Sequence, residues 1–143
     1  MRIVPLLALP VLLAGCRALE PTFAEPATII IPGDTAKIIA PDSVPRGVRF
    51  QVSVETFGGG CTRNPAYIGS KVFGTVAELR PFNETTKAGV RGGACTFDLL
   101  ILTHTATVQM KEAGPATIEV IGVQRDLAGR ETPVQIRRVV TVQ

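Results

Sequence analysis

From residue 48 to residue 55 the chain alternates without a break. Val48, Phe50, Val52 and Val54 fall on one side, and Arg49, Gln51, Ser53 and Glu55 on the other. Successive side chains of a strand point to opposite faces, so this segment predicts a half-buried strand with its four apolar residues inward. Residues 116–124 repeat the pattern, with Ile118 and Val120 facing one way and Thr117 and Glu119 the other. Residues 134–142 are rich in β-branched side chains, but their alternation slips at Arg137-Arg138, as a β-bulge would make it. Further short strands are expected at 28–31, 36–40, 72–79, 96–102 and 105–110. Turn formers separate them, among them Pro32-Gly33-Asp34, Pro45-Arg46-Gly47 and Gly114-Pro115. No long stretch carries a helical stripe. The pattern therefore predicts an all-β fold, a single sandwich of about 7–9 short antiparallel strands.

The amino-terminal end is of another kind. Met1-Arg2 makes a short positive start, and the eleven residues from Ile3 to Leu13 are apolar or Pro. A membrane-spanning helix needs roughly 20 apolar residues, so this run has the length of a signal-peptide core instead. Pro5 and Pro10 also make it a poor permanent helix. It ends in Leu13-Ala14-Gly15-Cys16, which resembles the lipobox of bacterial lipoprotein signals. That resemblance implies cleavage before Cys16, a diacylglyceryl thioether on its sulfur, and acylation of the freed amine. Two or three acyl chains hold a protein on a bilayer essentially permanently. Arg17 stands where an Asp would signal inner-membrane retention in Gram-negative lipoproteins, so the resemblance favours the outer membrane in such an organism.

The expected organisation follows. Residues 1–15 are the signal peptide, 16–27 the lipidated Cys with a short extended tether containing Pro21 and Pro26, and 28–143 the folded domain. With Cys16 modified, Cys61 and Cys95 remain as a pair outside the reducing cytosol. Each follows a glycine cluster and precedes a Thr. A structural disulfide is the leading expectation. A metal site would want four ligands and has only His104 to add, and a redox pair is normally closer in sequence.

Two segments carry a second resemblance. Residues 45–54, a Gly-containing turn before the alternating strand, are similar to the opening of many bacterial immunoglobulin-like domains. Thr105-Ala106-Thr107-Val108-Gln109-Met110 and the later stretch 113–122 resemble the pair of strands that family places in opposite sheets. The implied fold is an immunoglobulin-like β-sandwich over most of 28–143. The chain has no Trp to pack on an inter-sheet disulfide, and Tyr67 is not two residues before a Cys. The bridge is therefore expected to pin a strand end or a loop.

Composition narrows the chemistry. Fifteen Lys+Arg against twelve Asp+Glu give a net charge of +3, and no basic patch with interleaved aromatics suggests nucleic acid. Ser43, Ser53 and Ser70 are the only serines, none in a G-x-S-x-G setting, and the carboxylates are scattered. His104, between Thr103 and Thr105, reads as a turn residue joining two strands. No metal, cofactor or catalytic residue is expected. The function this leaves is a non-enzymatic binding or structural module, tethered to the bilayer through Cys16 and docking on an envelope protein or surface polymer. The alternatives are a carrier holding an apolar ligand and, third, an envelope hydrolase. The candidate binding surface is the pair of glycine-rich loops with Arg63 and Arg91, suited to an acidic partner.

Overall fold

The computed structural model describes residues 22–86, 94–96 and 98–143. Among them there is no helix, and hence none long and apolar enough to cross a membrane. Eleven strands form one curled sheet: β1 (Thr22–Pro26), β2 (Thr28–Ile31), β3 (Asp34–Thr35), β4 (Ile38–Ile39), β5 (Ser43–Val44), β6 (Arg49–Gly58), β7 (Thr62–Phe73), β8 (Val76–Thr86), β9 (Leu100–Gln109), β10 (Gly114–Arg125) and β11 (Glu131–Val142).

The alternating segment forms most of β6, which pairs antiparallel with β9 from Arg49↔Gln109 to Gly58↔Leu100. Val52 and Val54 are fully buried. The pattern overreaches at its start. Val48 lies in the turn before the strand and is 50% exposed, and Phe50 is only half-buried. Full burial of a Phe would make its truncation cost about 3–5 kcal/mol. With the ring only partly buried against the core, Phe50→Ala should cost less than that, about 1.5–3 kcal/mol. Ser53→Ala, which loses one long Ser53–Thr105 hydroxyl contact of 3.3 Å on the outer face, should cost little. Urea midpoints of the two variants check this.

Three expectations about strand boundaries are corrected. Residues 72–79 are not one strand: Gly74, at φ 56°, turns the chain there and joins β7 to β8 as a hairpin. Glycine adopts that left-handed conformation without the steric cost a side chain would bring. Residues 96–102 and 105–110 do not form two strands with a joint at His104. The second half of the first and nearly all of the second form β9, with His104 in its middle and 3% exposed. The slip at Arg137-Arg138 is no bulge, because β10 and β11 pair without a shift from Gly114↔Val142 to Arg125↔Glu131. Arg138 simply takes an inward position in the row Val134, Ile136, Arg138, Val140, Val142. Its guanidinium reaches the sheet margin, where it donates to Ile38 O (3.1 Å), Ala40 O (3.0 Å) and Asp42 Oδ1 (2.7 Å). A long apolar stem with a polar tip can occupy such a place while its charge stays hydrated.

The sheet is also not wholly antiparallel, and its strands exceed the expected number. Thr22–Pro26, inside the stretch expected to be tether, is itself a strand on β8. One edge of β8 bonds β7 throughout. The other is shared, with Val76–Leu79 on β10 in parallel and Phe82–Thr86 on β1. At Ala27 the chain crosses from β8 to β10, donating to Pro81 O and accepting from Val123 N, both at 3.0 Å. It then runs parallel to β10 as β2. Gly122 permits this crossing, since a Cβ there would stand 2.5 Å from Ala27 O. A third parallel contact joins β5 to β11.

Inside the curl lies one apolar core. Ile29, Val52, Val54, Leu79, Met110, Ile118, Val120 and Val140 are each at most 1% exposed, drawn from β2, β6, β8, β10, β11 and the end of β9. Ile118 and Val120 face inward as expected.

Candidate functional site

The three glycines after β6 build one end of the domain. Gly59 and Thr62 exchange backbone hydrogen bonds of 2.7 and 2.9 Å, closing a tight turn before β7. Gly59 (φ 139°) and Gly60 (φ 59°) occupy conformations that side chains rarely adopt. They also leave room for a second segment: a Cβ on Gly59 would stand 1.9 Å from Asp98 O, and one on Gly60 2.8 Å from Thr96 O. The chain after the second Cys therefore lies directly on the glycine turn. The Cys61–Cys95 disulfide, with Cα atoms 5.3 Å apart, joins the two at a strand end, as expected.

Asp98 secures the same junction. Its Oδ1 accepts from Gly60 N (2.7 Å) and Thr96 Oγ1 (2.8 Å), and its Oδ2 pairs with Arg63 Nη2 (3.1 Å). The Gly60 N–H above all, then the Thr96 hydroxyl and the Arg63 charge, outweigh desolvation and hold this carboxyl below its ordinary range. Arg63 also donates to Gly60 O and Thr96 Oγ1 at 3.2 and 3.3 Å. The structure thus places Arg63 beside the disulfide, half exposed, with Asp98 balancing its charge. Arg91, its companion in the expected binding surface, lies outside the described residues, as does Cys16.

Between this junction and strands β1, β2 and β10 opens a cleft of about 480 Å³. Its polar wall carries the glycine turn, the paired hydroxyls of Thr62 and Thr85 (2.9 Å), Glu25 and Arg125. Ile31, Phe57 and Leu99 supply the apolar part, Phe57 almost fully buried and Leu99 61% exposed. Arg125 is tied to Glu131 (Nε–Oε1 3.1 Å), whereas Glu25 has no hydrogen-bond or ion-pair partner among the described residues. The volume is within the range that takes a small molecule or one side chain of a partner. Nothing in the strand pattern marked Asp98 or Glu25, because both acquire their places from segments distant in sequence.

Behind the cleft lies a buried polar cluster. Asn83 Nδ2 donates to Phe57 O (3.3 Å), and its Oδ1 faces His104 Nε2 at 2.8 Å, where it accepts from the ring when Nε2 carries a proton. Thr56 Oγ1 lies 3.2 Å from the same nitrogen and 3.3 Å from Leu102 O. Thr56, Asn83 and His104 are each at most 3% exposed. His104 is thus an interior residue of β9 and not the turn residue expected from its Thr neighbours. Among the described residues no group of three or more His, Cys, Asp and Glu is placed to hold a metal ion.

Burial pushes the His104 pKa down from its ordinary value, against the backbone of Tyr67, which hydrogen-bonds the ring and favours the proton. The sign of the consequence follows from proton counting. Between the depressed folded value and about 6.5 the unfolded chain binds the proton and the folded chain does not, so stability rises with pH. Acidification through that window should therefore lower the urea midpoint, and in this chain only one His can titrate there. Midpoints at pH 7.5 and pH 5.5 should differ in wild type and converge in His104→Gln; a midpoint that rises in acid would contradict the assignment. Searches against protein families, curated proteins and solved structures found no match to this chain.

Proposed function

We propose that this chain is a lipid-anchored protein of the bacterial cell envelope that works by binding, with the disulfide-braced cleft as its binding site. The cleft is the observation that carries the reading. It joins an apolar wall to hydroxyls, backbone and the Glu25 carboxylate, which has no partner among the described residues, and this suits recognition of a partly polar group. The chain's one His supports the same reading, since its ring is committed to Asn83 and Thr56 in the interior. The anchor rests on Leu13-Ala14-Gly15-Cys16 and the short apolar run before it. Arg17 after the Cys favours the outer membrane in a Gram-negative cell. An immunoglobulin-like relationship is supported by the lack of a ladder between consecutive β9 and β10, as in strands that pass from one sheet to the other.

A second reading, a carrier of an apolar ligand, draws on Ile31, Phe57 and Leu99 in the cleft wall. One experiment separates the two. Photo-crosslinking from position 99 in intact cells should trap an envelope protein or polymer if the cleft docks a partner. A lipid-sized adduct that forms equally in Cys16→Ser protein, released from the bilayer, would favour the carrier. Mass spectrometry of the same protein should find an acylated Cys16 at its amino terminus, and an intact segment 1–17 in mature protein would refute the anchor.

A further inference from the structure

We infer that the cleft end of the domain faces the bilayer and that Leu127 dips into it. The inference rests on the lipid anchor at Cys16. Thr22, the first described residue, pairs with Thr86, and Thr86 N donates to Cys61 O at 3.1 Å. The entry point thus lies beside the disulfide. Only six residue steps separate Cys16 from Thr22, a reach of at most about 20 Å when fully extended. A domain held by so short a leash presents to the membrane the end from which the leash emerges.

That end carries a prepared apolar contact. Arg125 and Glu25 line one cleft, so the tip of the β10–β11 hairpin, which follows Arg125 directly, is on the same end as β1. At this tip Leu127 is 92% exposed, the most exposed of the large apolar residues among those described. Its turn is tightly built. The Asp126 carboxylate accepts from Ala128 N and Arg130 N, both at 2.9 Å, and from Arg130 Nε at 2.7 Å. Asp126 N and Gly129 N close the turn through backbone bonds of 3.0 Å. A leucine on a turn already ordered loses little freedom when it enters an interface. Leu99 and Phe23, 61% and 46% exposed, flank the same end.

The charges choose the kind of surface. Arg125 pairs with Glu131 and Arg130 with Asp126, so the tip is neutral overall. Attraction to anionic lipid is therefore not its means of contact, and zwitterionic lipid should suffice. One leucine does not hold a protein on a membrane by itself. Once the acyl chains fix the domain at the surface, the contact becomes intramolecular and sets orientation.

The chain has no Trp, so a single introduced indole reports without background. Leu127→Trp and Phe73→Trp should be made in the full lipidated protein and reconstituted into phosphatidylcholine vesicles. Phe73 is 62% exposed and sits at the far end of β8 from Thr86. Brominated phosphatidylcholine should quench Leu127→Trp several-fold more than Phe73→Trp, with a blue-shifted emission for the former and little change on raising salt. Vesicle flotation reports the anchor separately. Protein that floats with Leu127→Trp unquenched, or with Phe73→Trp quenched more, overturns the orientation and leaves the anchor standing. Protein that does not float overturns the anchor, and the orientation falls with it.

Discussion

Cys61→Ser with Cys95→Ser should lower the free energy of unfolding by about 3–4 kcal/mol, the chain-entropy value for a loop of this length. The bond spans 34 residues, so its loss frees a long stretch of the unfolded chain. A native-state effect adds to this. Thr96 and Asp98 meet the glycine turn, and the Asp98 carboxylate takes the Gly60 N–H and pairs with Arg63. These contacts are exposed, and exposed ion pairs contribute little. Without the covalent link they cannot hold the segment alone. The loss should therefore be local first: hydrogen exchange should accelerate at Gly60 and Thr62 while Ile118 and Val120 in β10 keep their protection. Reductant acting on wild type should reproduce the variant's urea midpoint. Equal midpoints with and without the bond would contradict this account of the junction.

Asn83→Ala should cost about 2–4 kcal/mol, a large effect for one polar side chain. Asn83 joins three strands: its amide donates to Phe57 O, and its carbonyl accepts from His104 Nε2 and Thr56. Truncation removes the Asn83 donor from Phe57 O and leaves His104 Nε2 with the longer contact to Thr56. A buried group stripped of its partner costs about 1–3 kcal/mol, and the vacated volume adds to it. Water cannot easily repair the loss, because Thr56 and Asn83 are at most 2% exposed. Asn64→Ala is the natural comparison. It breaks a 3.4 Å contact to Glu84 at the surface and should change the midpoint little. Similar midpoints for the two variants would mean that the cluster behind the cleft is not the bonded unit described here.

Strand content was legible because alternation is a local property. Val52 and Val54, like Ile118 and Val120, sit two residues apart and face one core, and no distant contact was needed to foresee it. The disulfide was legible for a related reason: reading Leu13-Ala14-Gly15-Cys16 as a lipobox leaves two cysteines to pair, and the first of them follows glycines that let a second segment approach closely. Misjudged strands shared a cause. A Gly in a β-branched run, as at Gly74, or a charged residue in an apolar row, as at Arg138, has the same appearance in sequence whether it turns the chain, interrupts a strand or stays within it.

Alternation and residue type sufficed for the all-β class, for the inward positions Val52, Val54, Ile118 and Val120 of β6 and β10, and for the cysteines available to bridge. Tertiary structure alone decided which edges meet. It made β8 share an edge between β1 and β10, put Asn83 opposite His104, and brought Asp98 to neutralise Arg63. Each of these depends on residues at least twenty positions apart, whose pairing is set by the closure of the whole curled sheet. Period-two patterning chooses the face on which a side chain lies, but it carries no information about the strand that will lie beside it.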